Sequence, residues 1–154
     1  MRTLDALITE SPVFAGLNQE QLELIAGCGS NVVFAAGERL FREGEPADTF
    51  YLVRHGLVAL DQDVPNRPDV TVETVGPGEI VGWSCLLEPY RWHFTGRAVE
   101  LVRAVQFDGA CLRKNCDEDP TLGYALLVRF AQVLVDRLQA TRLQLMDVYG
   151  NRDH

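Results

Sequence analysis

Gly76-Pro77-Gly78-Glu79-Ile80-Val81-Gly82-Trp83-Ser84-Cys85-Leu86-Leu87-Glu88-Pro89-Tyr90-Arg91-Trp92-His93-Phe94-Thr95-Gly96-Arg97-Ala98 is the stretch on which the reading of this chain turns. A Gly-Pro-Gly turn opens it, and a short β segment follows. Gly82 then breaks the segment into what the sequence predicts is one helical turn. The chain returns as an aromatic strand through Tyr90, Trp92 and Phe94. A glycine leading into a helical turn leaves unpaired backbone N–H groups aimed at one spot, a geometry that holds anions. Both tryptophans of the chain, Trp83 and Trp92, lie in this stretch.

Working outward, the flanking sequence is a succession of short β patterns. Val32-Val33-Phe34, Leu40-Phe41-Arg42, Phe50-Tyr51-Leu52-Val53, Leu57-Val58-Ala59-Leu60 and Val70 to Val75 precede it, and Leu101 to Phe107 follows. Arg54-His55-Gly56 between two of them is a hairpin signal. About eight strands at such close spacing predict a compact β-barrel or jelly roll.

Helical patterns stand at both ends. Residues 4–27 carry the stripe Leu4, Leu7 and Ile8, ended by Ser11-Pro12. A second helix there is capped by Asn18 with Gln21 three residues on and stopped by Gly27-Cys28-Gly29. After a short segment from Gly109 to Asn115, Leu122, Leu126, Leu127, Phe130, Val133, Leu134, Leu138, Thr141, Leu145 and Val148 recur at threes and fours. The pattern predicts a helix of about 27 residues, roughly 40 Å long, closed by Gly150. That exceeds the face of so small a roll, so the surplus stripe is expected to pack on its copy in a parallel homodimer. The simpler alternative lays the helix along its own barrel.

Composition bounds the rest. The 154 residues, 47% hydrophobic and 23% charged, make one globular domain with a real core. A net charge of −8, with Lys114 the only lysine, argues against direct contact with DNA or RNA. Arg2, Asp5 and Glu10 interrupt the N-terminal apolar residues, and no apolar run reaches membrane-spanning length. Cys28, Cys85, Cys111 and Cys116 show no paired spacing and are read as reduced thiols of a cytoplasmic protein.

Gly37-Glu38, Leu40-Phe41, Glu43-Gly44, Ala47-Asp48, Phe50 to Val53, Gly56, Val58, Gly76 to Glu79, Gly82, Leu86-Leu87 and Ala98 together resemble the cyclic nucleotide-binding domain. This is the sensor module of catabolite-activator-type regulators and of the regulatory subunits of cyclic-nucleotide kinases. The resemblance covers essentially the whole chain. It implies a β-roll (31–108) between N-terminal helices (4–27) and a long C-terminal dimerisation helix (120–149), with a phosphate-binding cassette at 76–98. No DNA-binding domain is expected within 1–154.

In that family the cassette opens with a glycine and a ribose-holding glutamate. It closes with an arginine on the cyclic phosphate, and a small residue follows. Here Gly82 matches the glycine, Trp83 stands for the glutamate, and an ungapped count puts Trp92 at the arginine, with His93 next. Arg91 is one position early, and on a strand that slip turns the side chain to the other face. Arg97, beside Ala98, is expected to point away too. Losing one partner of a buried charged pair costs about 2–5 kcal/mol, about thirty- to several-thousandfold in affinity.

The expected ligand site is therefore Gly82, Trp83, Ser84, Cys85, Arg91, Trp92, His93 and Arg97, lined also by Tyr90 and Phe94. The expected function is a non-catalytic sensor binding a small molecule other than conventionally held cAMP. Two alternatives stand beside it: a ligand-free dimeric scaffold, and a true cAMP or cGMP binder in which a bulge recruits Arg91 or Arg97. No cofactor is expected beyond such a ligand. His93 and Cys85 fall short of a four-ligand zinc site, and three scattered histidines do not make a cupin-type enzyme. Occupancy is expected to shift the long helix, with Gly123 a candidate hinge, and to alter the surface shown to a protein partner.

Overall fold

The computed structural model describes residue 8 and residues 11–82 and 90–152 of the chain. Short alternating runs make strands with a face to bury, and two sheets meet that need by closing on one another. Eight strands do so among the described residues: β1 Gly29–Phe34, β2 Arg39–Phe41, β3 Thr49–His55, β4 Val58–Gln62, β5 Val70–Val75, β6 Ile80–Val81, β7 Thr95–Ala98 and β8 Val102–Asp108. They form two four-stranded sheets in the orders β1-β8-β3-β6 and β2-β7-β4-β5. All pairings are antiparallel. This is the jelly-roll-like β-roll expected from the sequence.

Successive strand residues point to opposite faces, and β3 is buried on both. Phe50 stacks on Phe107 at 4.7 Å and meets Phe130 of the C-terminal helix edge-on at 5.9 Å. Its neighbour Tyr51 looks into the roll, where Phe41 stacks beside it and Phe34 meets its edge. The β3–β4 turn needs Gly56 at φ 88°, because any Cβ there would collide with the Leu101 carbonyl oxygen.

Helix α1, Gln19–Ala26, begins as its sequence dictates: the Gln21 N–H donates to Asn18 Oδ1 at 2.8 Å and the Asn18 N–H to Gln21 Oε1 at 3.1 Å. Ser11 caps a 3-10 turn over Pro12–Phe14 and donates its Oγ proton to the Gly78 carbonyl at 2.7 Å. The N-terminal segment is thereby tied to the Gly76–Gly78 turn. Leu4 and Leu7 lie outside the described residues. Helix α2, Gly109–Glu118, is capped by Asp108, whose carboxylate accepts from the N–H groups of Ala110 and Cys111. Helix α3 then runs Pro120–Arg152, 33 residues, or about 50 Å. It is longer than expected and continues through Gly150, which does not cap it.

Two other expectations are corrected. The aromatic stretch is not a strand until Thr95: Tyr90 sits at φ 56°, and Arg91 makes only an isolated bridge to Pro46. The cysteines are not all reduced, since Cys28 and Cys111 form a disulfide with Cα atoms 5.7 Å apart. The sheet brings them together. β1 pairs with β8 so that Gly29 faces Phe107, and the Asp108 N–H donates to the Cys28 carbonyl at 2.9 Å. Cys116 remains a thiol, its pKa pushed up by burial and by the charges of Asp117 and Asp119. Gly123 of α3 lies against Cys116, where an added Cβ would come within 3.3 Å. Close packing of α2 on α3 therefore accounts for this glycine.

Candidate functional site

A cavity of about 440 Å³ opens between the second sheet, the end of β6 and the middle of α3. Phe41, Leu60, Val81 and Trp92 form its apolar floor, with His93 and Phe94 at the rim. Trp92 is the key element. It is only 5% exposed, and its ring stacks on Phe41 with centroids 4.2 Å apart. The column continues through Phe41 to Tyr51. Burial raises the pKa of the Tyr51 hydroxyl, which donates to the Leu40 carbonyl at 3.2 Å.

Backbone pairing puts Trp92 there. The Gly44 N–H donates to the Trp92 carbonyl and the Trp92 N–H to the Glu45 carbonyl, so residues 90–92 are strapped to the Glu43–Pro46 turn. Gly82, at φ 84°, completes the contact: a Cβ on it would lie 2.8 Å from Trp92 Cζ3. The indole thus occupies the space directly over the glycine that opens the cassette.

The arginines proposed from sequence are elsewhere. Arg91 donates from Nη1 to the Gly44 carbonyl at 2.8 Å. Arg97 donates from Nε to Asp61 Oδ2 at 2.9 Å on the outer face of β7, while Gly96 and Ala98 turn inward. Burial alone would raise the Asp61 carboxyl pKa. Hydrogen bonds from Arg97 and Thr71, with the guanidinium charges of Arg97 and Arg39, reverse this and hold it below the usual value. Of the eight expected site residues, Gly82, Trp92 and His93 meet at the cavity and Arg91 and Arg97 do not. Trp83, Ser84 and Cys85 lie outside the described residues.

Sequence reasoning missed the polar part of the lining. Glu73 of β5 and Arg137 of α3 meet at the cavity, Nε to Oε1 at 3.3 Å, and Arg137 also donates from Nη2 to the Ile80 carbonyl at 2.7 Å. No local signal singled it out: Arg137 stands beside Asp136 and between Arg129 and Arg142 on α3. Leu134, one turn earlier, lines the same cavity.

A two-sheet antiparallel roll with a long C-terminal helix and a cavity beside a left-handed glycine sets the class of fold. The model for the cyclic nucleotide-binding domain matches residues 31–119. The chain belongs to that family. It is 26% identical over 145 residues to the CRP-like cAMP-activated global transcriptional regulator of Mycobacterium tuberculosis, across 94% of this chain and 63% of that protein. The chain thus spans somewhat under two thirds of the length of that relative. A proposed cyclic nucleotide-binding protein of Geobacter metallireducens superposes with a TM-score of 0.80 at 33% identity, covering 90% of this chain and 99% of that one. The catabolite activator protein of Thermus thermophilus superposes at 0.71 with 25% identity, covering 88% and 62%.

Proposed function

We propose that this chain is a non-catalytic sensor module whose aromatic cavity binds a small ligand without the cassette arginine that would hold a cyclic phosphate. Trp92 carries the reading. It takes the position the family resemblance assigns to that arginine and lies against Gly82 and Phe41, while Arg91 and Arg97 are engaged at Gly44 and Asp61. Such a wall favours stacking on a planar ring over cradling a phosphate. The regulatory, non-catalytic role draws on relatives named as transcriptional regulators, and a cytoplasmic place goes with it. Among the described residues no helix is long and apolar enough to cross a membrane.

The homodimer belongs to the same proposal. Leu127, Leu134, Leu138 and Leu145 of α3 are each half exposed or more and recur at heptad spacing, the seam of a parallel helix pair. Ligand beside Leu134 and Arg137 would alter how α3 sits on the roll and hence the surface shown to a partner protein. With a net charge of −8, this chain is not assigned direct contact with DNA.

Trp92 is its own reporter. In a Trp83→Phe background, intrinsic fluorescence and thermal shift are followed while cAMP, cGMP and a panel of uncharged heteroaromatic compounds are added. Saturable binding from the panel, with cAMP weakened toward millimolar as the loss of a charged partner predicts, is the expected result. Tight cAMP binding abolished by Arg91→Ala or Arg97→Ala overturns the proposal. A flat response to every compound favours the ligand-free scaffold.

A further inference from the structure

Among the described residues the cavity lining carries one guanidinium and one carboxylate, and they face each other. Arg137 Nε stands 3.3 Å from Glu73 Oε1, with the side chains 23% and 39% exposed. Arg137 is fixed further by its bond to the Ile80 carbonyl. The pair is formally neutral. An anion entering the cavity would find its cation already engaged. Taking Arg137 for itself would leave Glu73 unpaired beside a second negative charge, and remaining unpaired would strand the anion against Phe41, Val81 and Trp92. The first sets two like charges side by side, and the second withdraws a charge from water without a partner. An uncharged planar ring meets neither penalty. It can stack on the aromatic wall, while the Glu73 carboxylate, with lone pairs beyond the one facing Arg137, accepts a ring N–H.

We infer that Glu73 is the specificity-determining residue of this cavity: by holding Arg137 as a neutral pair it bars anionic ligands and selects an uncharged planar heteroaromatic one. The ligand class rests on reading the cavity as a ligand site. The charge gate does not, because it concerns what an emptied pair would admit. Freed from Glu73, Arg137 becomes a cation at the mouth of an aromatic cavity of about 440 Å³, which is what a cyclic phosphate attached to a purine needs.

Calorimetric titration of the full chain with cAMP and with adenosine, which differ by the phosphate, tests this in wild type, Glu73→Gln and Glu73→Gln/Arg137→Gln. Glu73→Gln keeps the shape of a half-exposed strand residue, and Glu73→Ala serves if the amide still holds Arg137 in place. The expected result is at least about a tenfold gain in cAMP affinity on removing the carboxylate, the worth of one charge-assisted hydrogen bond. Adenosine, whose neutral ring system has no ring N–H for Glu73 to accept, should be little changed, and the double variant should lose the gain. Wild type binding cAMP as tightly as the single variants, no gain in either single variant, or a gain that survives Arg137→Gln each overturn the gate. If the gate variants gain cAMP while adenosine and the uncharged panel leave wild type unmoved, the gate stands and the ligand-site reading fails. If the panel binds wild type and no gain is seen, the reverse holds.

Discussion

Helix α3 is two helices in one physical sense. Over its first three turns Leu122, Leu126 and Phe130 are buried, and Arg129 donates twice to the Ala15 carbonyl, at 2.7 and 3.2 Å. Beyond Phe130 the apolar residues continue, yet Leu134, Val135, Leu138, Leu143, Leu145 and Met146 are exposed. There the helix keeps one partly buried core contact, Val133, and touches the roll through Arg137, at Glu73 and Ile80. The first half is welded to the core of the fold and the second is held by a polar clasp at a cavity. Under the proposed sensor reading, a ligand would act on the second half at little cost to the fold.

The largest expected effect comes from the welded half. Phe130→Ala removes a ring packed on Phe50 and should lower unfolding free energy by about 4 kcal/mol, read from urea denaturation. If it costs under about 1 kcal/mol, the first half is not anchored as described.

The disulfide reinforces the same half, because Cys111 lies on α2 and α2 packs on α3. It closes a separation of 83 residues, for which chain entropy allows a stabilisation of up to about 4.5 kcal/mol. Cys28→Ser should lower the melting point, and a reductant should do the same to wild type but not to the variant. Equal melting of oxidised and reduced protein removes the covalent anchor from the comparison.

The free half should behave oppositely. Leu138→Asp leaves monomer stability within about 0.5 kcal/mol, as an exposed substitution does. It should nevertheless raise the dimer dissociation constant tenfold or more by placing a charge in the seam. Light scattering at tens of micromolar reads this directly. A wild type that is monomeric there ends the dimer proposal.

How much of this was legible beforehand depended on how far apart in the chain the cause lay. The Asn18–Gln21 capping box is complete within four residues, and the structure keeps it atom for atom. The strands of the roll announce themselves by alternation, and the α3 stripe by its period. Where that stripe stops being core was not legible, since Phe130 and Leu134 look alike until the length of β3 and β8 is known. The Cys28–Cys111 pair needed the β1–β8 register. Arg137 meets Ile80 across 57 positions, a coincidence of β6 and α3 that no local pattern encodes. Trp92 was legible as a misfit at the arginine position, but its seat over Gly82 comes from the strap between residues 90–92 and the Glu43–Pro46 turn.

The smallest effect serves as the control, because it belongs to the roll and touches neither half of α3. Asp61 pairs with Arg97 across β4 and β7, and its folded pKa is held below the ordinary 3.8. A depressed carboxylate contributes stability that is fully present above the unfolded value and is lost as pH falls through the folded one. Asp61→Asn keeps an acceptor for Thr71 and removes only the charge. It should cost under about 1 kcal/mol near neutrality, because Arg97 is more than a third exposed and solvent screens the pair. That deficit should hold at every pH well above 3.8 and shrink below it, so that the wild-type and variant melting curves converge in acid. Ligand response and dimerisation should be unchanged throughout. If Asp61→Asn disturbs either, the outer face of β7 is coupled to the cavity, and the separation between a fixed roll and a movable helix end does not hold.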